Sequence, residues 1–315
     1  MYEGGKIGYD RGSVTRKNGA AHMPEEIVPV SCNYDCISGC PLEAVIQNGR
    51  VLRVRNSSHR LPFMTGCVRG FLSPRVLYNE RRLCRPLIRS GSRGEGEFRP
   101  AEWEEALDTA AEGLSRLKDR YGARSLMRIG GSGACRGVLH NTAALTTRFL
   151  SLFGGYTDTR GTYSSEATDF VKPHLFGTEH VGIDVKTLLS SELIILWGFN
   201  AADTRFGTET ELVLDEASRR DIPVVVIDPR RTRSVERFSA EWIPVYPGSD
   251  AVLMSAMLFV MMEEGLVDRS FVERCSVGFE ELERYLRGEI DGKPRGPGWA
   301  APLTGISEEK IRSFT

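Results

Sequence analysis

ELIILWG (192–198) and IPVVVIDPRRT (222–232) are the stretches on which the fold turns. Each is a continuous apolar run without polar alternation, the pattern of a strand covered on both faces, as in a parallel sheet. A helix is expected between them over about 208–219, and another from about 251 to 264 after PVYPGSD (244–250). Strand and helix in repeated order predict a doubly wound α/β sheet, whose ligands bind at the carboxyl ends of the strands. The candidate contacts there are Trp197, Gly198 and Asn200, then Asp228 and Arg230, then Gly248 and Asp250. Asp228 can accept from a guanine edge or from ribose hydroxyls, and Arg230 or Arg231 can pair with a phosphate. Asp250 stands where a helix begins, and an N-cap role alone would account for it.

Upstream, Trp103, Leu107, Ala110, Leu114 and Leu117 recur at the spacing of one helical face. This helix is expected to end near Gly122, followed by a short strand, SLMRI (125–129), then GGSGACRG (130–137) and a helix over about 141–153. GGSGACRG does not satisfy G-x-G-x-x-G: after Gly131 and Gly133 the next required position is Arg136, and no acidic residue ends a second strand about twenty residues later. It reads as a tight turn near some other ligand. The arginine-rich segment 81–100 reads as a solvated connector.

Cys32, Cys36, Cys40 and Cys67 carry the other signal, spaced C-x3-C-x3-C-x26-C. Four thiolates suit an iron–sulfur cluster or a structural zinc. Zinc sites usually arrive as two C-x2–4-C pairs, whereas three close cysteines with a proline after the last lean toward a cluster loop. AVIQNGRVLRV (44–54), with Asn48-Gly49 between two β-prone runs, predicts a hairpin beside that loop. Cys84, Cys135 and Cys275 are isolated and read as small buried hydrophobes.

The 315 residues are 41% hydrophobic and 26% charged with a net charge of −1, an ordinary globular composition of more than one domain. That charge gives no reason to expect nucleic acid as a partner. No run of 18 apolar residues occurs, so direct membrane insertion is not expected, and Ala251–Met262, interrupted by Ser255, reads as a buried helix. Residues 1–28 lack the apolar region of a secretory signal, which favours a cytoplasmic protein.

SCNYDCISGCP, TGCVRG, RPLIRSGSRGEGEFRPAEWEEAL, RGTYSSEA, LIILWGFN, VVVIDPRRT and PVYPGSDAVL follow one another from about residue 28 onward. In this order and spacing they resemble the molybdopterin-guanine-dinucleotide oxidoreductases, most of all the catalytic subunits of anaerobic dimethyl sulfoxide reductase. The resemblance implies a [4Fe–4S] cluster on the four cysteines and a Mo-bis(molybdopterin guanine dinucleotide) cofactor. It places Arg69 as the cation between cluster and pterin and Ser164 as the molybdenum ligand, with Ser165 one register away. Trp197, Gly198, Asn200, Asp228, Arg230, Gly248 and Asp250 would hold one of the two dinucleotides. The implied organisation is a flexible tail over 1–28, a β-rich cluster domain over 29–90, an α/β domain over 91–183 that carries the molybdenum ligand, and an α/β dinucleotide-binding domain over 184–315. The implied activity is removal of an oxygen atom from a small oxidised substrate, an S-oxide or N-oxide. Electrons would come through an iron–sulfur partner subunit, with or without a membrane anchor subunit. Alternatives within the fold are selenate or polysulfide reduction or hydroxyl transfer, and outside catalysis a molybdenum-free electron-transfer subunit. No twin-arginine leader is seen, and the family's chains are longer, so the sequence reads as the N-terminal portion of such an enzyme.

Overall fold

The computed structural model describes residues 24–315 apart from 35, 37, 131–140, 160, 162–164, 205 and 206. Three antiparallel strands, β1 (Glu26–Ser31), β2 (Pro41–Gln47) and β3 (Arg50–Asn56), form the first sheet in that order. The β2–β3 connection is the two-residue Asn48-Gly49 turn, and both residues take positive φ, 51° and 73°, as a primed hairpin turn requires. β1 begins at Glu26, paired with Ile46, so residues 26–28, read in the sequence as tail, belong to the sheet. Two short helices, α1 (Val68–Phe71) and α2 (Ser73–Leu77), lie against β3.

The connector is more ordered than its composition suggests. Its ends pair as a small hairpin of β4 (Leu87–Arg89) and β5 (Phe98–Pro100), with the glycine-rich stretch as the turn. Then come α3 (Trp103–Tyr121), α4 (Thr142–Phe153) and α5 (Glu166–Phe176). SLMRI does not form a strand. Met127 makes one parallel bridge to Thr157, and with no second neighbour among the described residues the pairing does not propagate.

The parallel sheet is β6 (Ile194–Trp197), β7 (Val224–Ile227) and β8 (Glu241–Ile243), in that order. Its helices include α6 (Glu209–Arg219), α7 (Arg233–Arg237) and α8 (Asp250–Glu263), followed by α9 (Arg269–Cys275), α10 (Phe279–Leu286), α11 (Pro297–Thr304) and α12 (Glu308–Phe314). Ile194, Leu196, Val224 and Val226 turn one way into a core with Leu214 and Ala217 of α6 and with Phe238. Ile227 and Ile243 turn the other way onto Leu253 and Ala256 of α8, Ala300 of α11 and Ile311 of α12. Apolar groups on both faces are why β7 shows no alternation in the sequence; β6 stands at the sheet edge and leaves Ile195 43% exposed, so its apolar run is not matched by cover on both faces. β8 escapes pattern reading because it is three residues long and Pro244 follows it.

Two of the isolated cysteines depart from expectation: Cys84 and Cys275 are exposed, the former in the irregular segment before β4 and the latter at the end of α9. Cys135 lies outside the described residues. Among those described, no helix is long and apolar enough to cross a membrane.

Candidate functional site

Cys32, Cys36 and Cys40 lie on the loop joining β1 to β2, which Cys32 N closes at its base by donating to Cys40 O at 2.9 Å. Cys67 arrives from the far end of β3. There Asn56 Oδ1 accepts from Gly66 N (2.7 Å) and from Thr65 Oγ1 (3.0 Å), which fixes the Thr-Gly-Cys turn just before α1. Glu43 of β2 secures the same corner: its carboxylate accepts from Ser58 N, Ser58 Oγ and Arg55 Nε at 2.7, 2.8 and 2.9 Å. Those donors, Ser58 first, hold its carboxyl down at about 2.

All four cysteines line one cavity. Tyr34 and Arg69 complete one wall, the Arg69 guanidinium lying 5.1 Å from the centre of the Tyr34 ring. Gly207 and Thr208 close the other wall from the parallel-sheet part of the chain, and Thr208 Oγ1 donates to Thr65 O at 2.6 Å. Gly207 has φ of 101°, and a Cβ there would overlap the Ser38 side chain, so the approach needs glycine. Cys40 is 6% exposed. Burial pushes its thiol up to about 11, and the charges of Cys32, Cys36 and Cys67 add to the effect. Among the described residues no group of three metal-binding side chains is already drawn together about a single ion. A soft four-thiolate donor set around a shared space fits an iron–sulfur cluster.

The second set of predicted residues gathers at the carboxyl edge of β6 and β7. In register Trp197 stands beside Ile227, and Ile227 beside Ile243. Gly198 and Asp228 therefore leave the sheet side by side, the first donating to Ile227 O at 2.8 Å. Gly198 and Gly248 take φ of 61° and 81° with open space at their Cβ positions. Trp197 Nε1 donates to Asp250 Oδ1 at 2.8 Å, joining β6 to the first turn of α8. Asp250 is thus the first residue of the helix, with Ser249 at the N-cap position, and its carboxylate is used across the sheet edge. Asn200 Oδ1 accepts from the buried Ser234 Oγ at 2.8 Å, and Ser234 Oγ also accepts from Ala202 N at 3.1 Å. Asp228 is buried, and its Oδ1 accepts from Arg230 N at 2.8 Å, while the Arg230 side chain stands out in solvent. Thr232 Oγ1, four residues past Asp228, is buried with no partner among the described residues. A buried hydroxyl of this kind is costly unless something hydrogen-bonds it, and this edge, with an open glycine turn on either side, fits a polar nucleotide.

Ser164 lies outside the described residues. Its neighbour Ser165 precedes α5 and donates to Asp169 Oδ2 at 3.0 Å. Reading the sequence missed Tyr34, Asn56, Gly207, Thr208 and Thr232. Tyr34 sits between Cys32 and Cys36, a usable if weak signal, whereas Asn56 is ten residues before Gly66 and carries none. Gly207 and Thr208 carry none, because only folding brings them to the cysteines.

Residues 82–304 match the family described as Molybdopterin oxidoreductase. Over 91% of its length the chain is 32% identical to dimethyl sulfoxide reductase DmsA of Haemophilus influenzae and 31% identical to that of Escherichia coli. It covers 39% and 38% of those two proteins, so the chain spans about two-fifths of the length of the relatives it matches. Acetylene hydratase from Pelobacter acetylenicus is a structural neighbour, with a TM-score of 0.65 and 25% identity over 91% of this chain and 38% of that one.

Proposed function

Because the chain belongs to the molybdopterin oxidoreductase family, we propose that it forms the cluster-bearing and dinucleotide-binding part of a molybdenum reductase that removes oxygen from an S-oxide or N-oxide. The observation that carries the reading is the shared cavity: four thiols and Arg69 on one side, Gly207 and Thr208 of the α/β part on the other. Cys32, Cys36, Cys40 and Cys67 would hold a [4Fe–4S] cluster. Three close cysteines with a proline after the last, in C-x3-C-x3-C-x26-C spacing, favour a cluster over a structural zinc. Trp197, Gly198, Asn200, Asp228, Arg230, Gly248 and Asp250 would hold one guanine dinucleotide of a Mo-bis(molybdopterin guanine dinucleotide), with Ser164 as protein ligand to the metal. When bound, that cofactor supplies the two-electron oxygen-atom chemistry.

The chain's own residues supply the setting. Arg69, held over Tyr34, is a fixed cation beside four thiolates, and it favours arrival of an electron by offsetting the added negative charge. Thr208, tied to Thr65, closes the cavity wall against water, and solvent exposure is one of the determinants of cluster potential. Asp228 is positioned to accept hydrogen bonds at the strand edge, and Arg230 to meet a phosphate. The names of the relatives favour S-oxides and N-oxides: besides the two dimethyl sulfoxide reductases, a trimethylamine-N-oxide reductase of Haemophilus influenzae is 30% identical over 76% of this chain. Electrons would enter from an iron–sulfur subunit, with or without a membrane-anchor subunit.

The test uses the full-length protein, purified without oxygen. Iron, molybdenum and tungsten are counted, and oxidation of reduced methyl viologen is followed with dimethyl sulfoxide, trimethylamine N-oxide, selenate and polysulfide. Expected are about four iron atoms and one molybdenum or tungsten per chain, with turnover on the S-oxide or N-oxide. Iron without molybdenum or tungsten would sink the catalytic reading. A second reading, hydration without net redox change, is favoured by the likeness to acetylene hydratase. It predicts addition of water to acetylene with no viologen consumed.

A further inference from the structure

Thr208 stands at the N-cap position of α6, where a threonine hydroxyl ordinarily accepts from a backbone N–H of the first turn. Here the side chain makes no cap hydrogen bond, and Oγ1 donates instead to Thr65 O at 2.6 Å, 143 positions away. Leu212 N is served by the Thr208 backbone carbonyl at 3.0 Å, so the helix starts without the hydroxyl. Thr65 lies two residues before Cys67 and is already tied to β3, its own hydroxyl donating to Asn56 Oδ1 at 3.0 Å. The turn that delivers Cys67 is thus held from the sheet by Asn56 and from the α/β part by Thr208.

The same side chain separates three spaces. Thr208 lines the narrow cavity of the four thiols. It also lines an open cleft of about 450 Å³ along Cys67, Arg69 and Leu212, and a second of about 240 Å³ beside Ser38, Cys40 and Met64. Among the described residues no other borders all three. Gly207, with no Cβ to meet the Ser38 side chain, is what lets the threonine come up to the thiol loop.

We propose that the Thr208 hydroxyl is the latch of the thiol cavity: a positioning group whose bond to Thr65 O keeps the water of both clefts from the thiols and so sets the reduction potential of the cluster they hold. The proposal rests on the cluster reading given above and deepens it, by assigning control of the potential to a residue far from the cysteine loop in sequence. One-electron reduction adds a negative charge beside four thiolates, and water stabilises that charge better than protein does. A cavity opened to either cleft therefore favours the reduced form. The hydroxyl is the part that matters. Thr208 is only half-buried, so packing alone leaves its side chain free to swing aside, whereas the bond to Thr65 O fixes its rotamer and the Cys67 turn together.

The experiment compares Thr208→Val, which keeps the volume without the hydroxyl, with Thr208→Ser, which keeps the hydroxyl without the methyl. Both are made in the full-length protein, purified without oxygen, and iron and sulfide are counted first. A redox titration followed by electron paramagnetic resonance reads the cluster. In Thr208→Val the reduced-to-oxidised ratio at a fixed potential should rise at least about threefold, an upward shift of roughly 28 mV at about 59 mV per tenfold, while Thr208→Ser stays at the wild-type value. Iodoacetamide alkylation, resolved peptide by peptide after a chelator has removed the metal, reads the latch itself. Cys40 and Cys67 should react at least about threefold faster in Thr208→Val, with the exposed Cys84 and Cys275 unchanged. A wall made by bulk alone predicts the reverse, valine like wild type and serine altered, and that result overturns the proposal. So does an unchanged potential in Thr208→Val, even with faster alkylation, because the latch would then not govern the cluster. A wild-type protein that carries zinc in place of iron and sulfide overturns the cluster reading and the assignment of potential with it, while the alkylation rates decide the latch separately.

Discussion

Gly70 shows how little room the cysteine cavity has. A Cβ at this position would lie 3.2 Å from Leu42 Cδ1 and 3.5 Å from Cys32 Sγ, so a methyl group would press on Leu42 and any larger side chain on the cysteine as well. Gly70→Val, whose branches extend beyond that Cβ, should displace Cys32 and lower the iron bound per chain at least about twofold. Colorimetric iron counting on the full-length variant checks this, and unchanged iron content would show that the contact does not matter. Glu43 makes the same corner pH-dependent. Its carboxyl is lowered from 4.5 to about 2 by the Ser58 and Arg55 donors, so the stability it contributes is complete above about pH 4.5 and is lost as pH falls toward 2. Glu43→Gln should therefore lower the urea midpoint at pH 7, and the gap from wild type should narrow steadily between pH 5 and pH 3. A gap that stays constant over that range would remove Glu43 as the cause. The motif CVRG makes Gly70 visible in the sequence, but its contact with Leu42 is not, because that contact depends on where β2 lies.

At the scale of elements, the strand ends of the parallel sheet are held by side chains. Ser234 of α7 is fully buried, and its hydroxyl joins the Ala202 N–H to the Asn200 side chain. Ser234→Ala leaves that buried N–H without an acceptor and should cost about 2 kcal/mol. In a domain of this size that is a fall in Tm of roughly 4–8 °C, read by calorimetry, with iron content unchanged. The elements that fixed this edge were legible in proportion to their patterning. β6 and β7 announce themselves because every residue is apolar, although only β7 is covered on both faces and Ile195 of β6 is 43% exposed. The β4–β5 hairpin and β8 do not, since three residues are too few for a period to show. SLMRI had the composition of a strand but lacks the neighbours that would make it one.

Over the whole molecule, burial is uneven. The two cores flanking β6–β8 are closed, yet no residue of α3 or α5 is buried. Trp103 and Leu107 are 63% and 61% exposed, and Phe170, Leu175 and Phe176 are similarly open. Apolar surface of that extent recruits hydrophobic dyes and neighbouring molecules. The 315-residue chain by itself should bind anilinonaphthalene sulfonate and self-associate. Leu107→Glu with Leu117→Glu should lower the bound fluorescence several-fold without lowering the thermal midpoint; a large fall in the midpoint would mean that the face is packed. The sequence by itself determined the local features: a thiol loop set by a nine-residue spacing, a hairpin set by Asn-Gly, and two strands set by uninterrupted apolar runs. These are written in short-range dihedral preference and periodicity. Tertiary structure alone decided that Thr208 should reach Thr65 across 143 positions, that Trp197 should meet Asp250 across 53, and that Tyr34 should stand between the thiols and the cleft beside α2. Such contacts depend on how finished elements pack, and packing geometry leaves no periodic trace in the residues it joins.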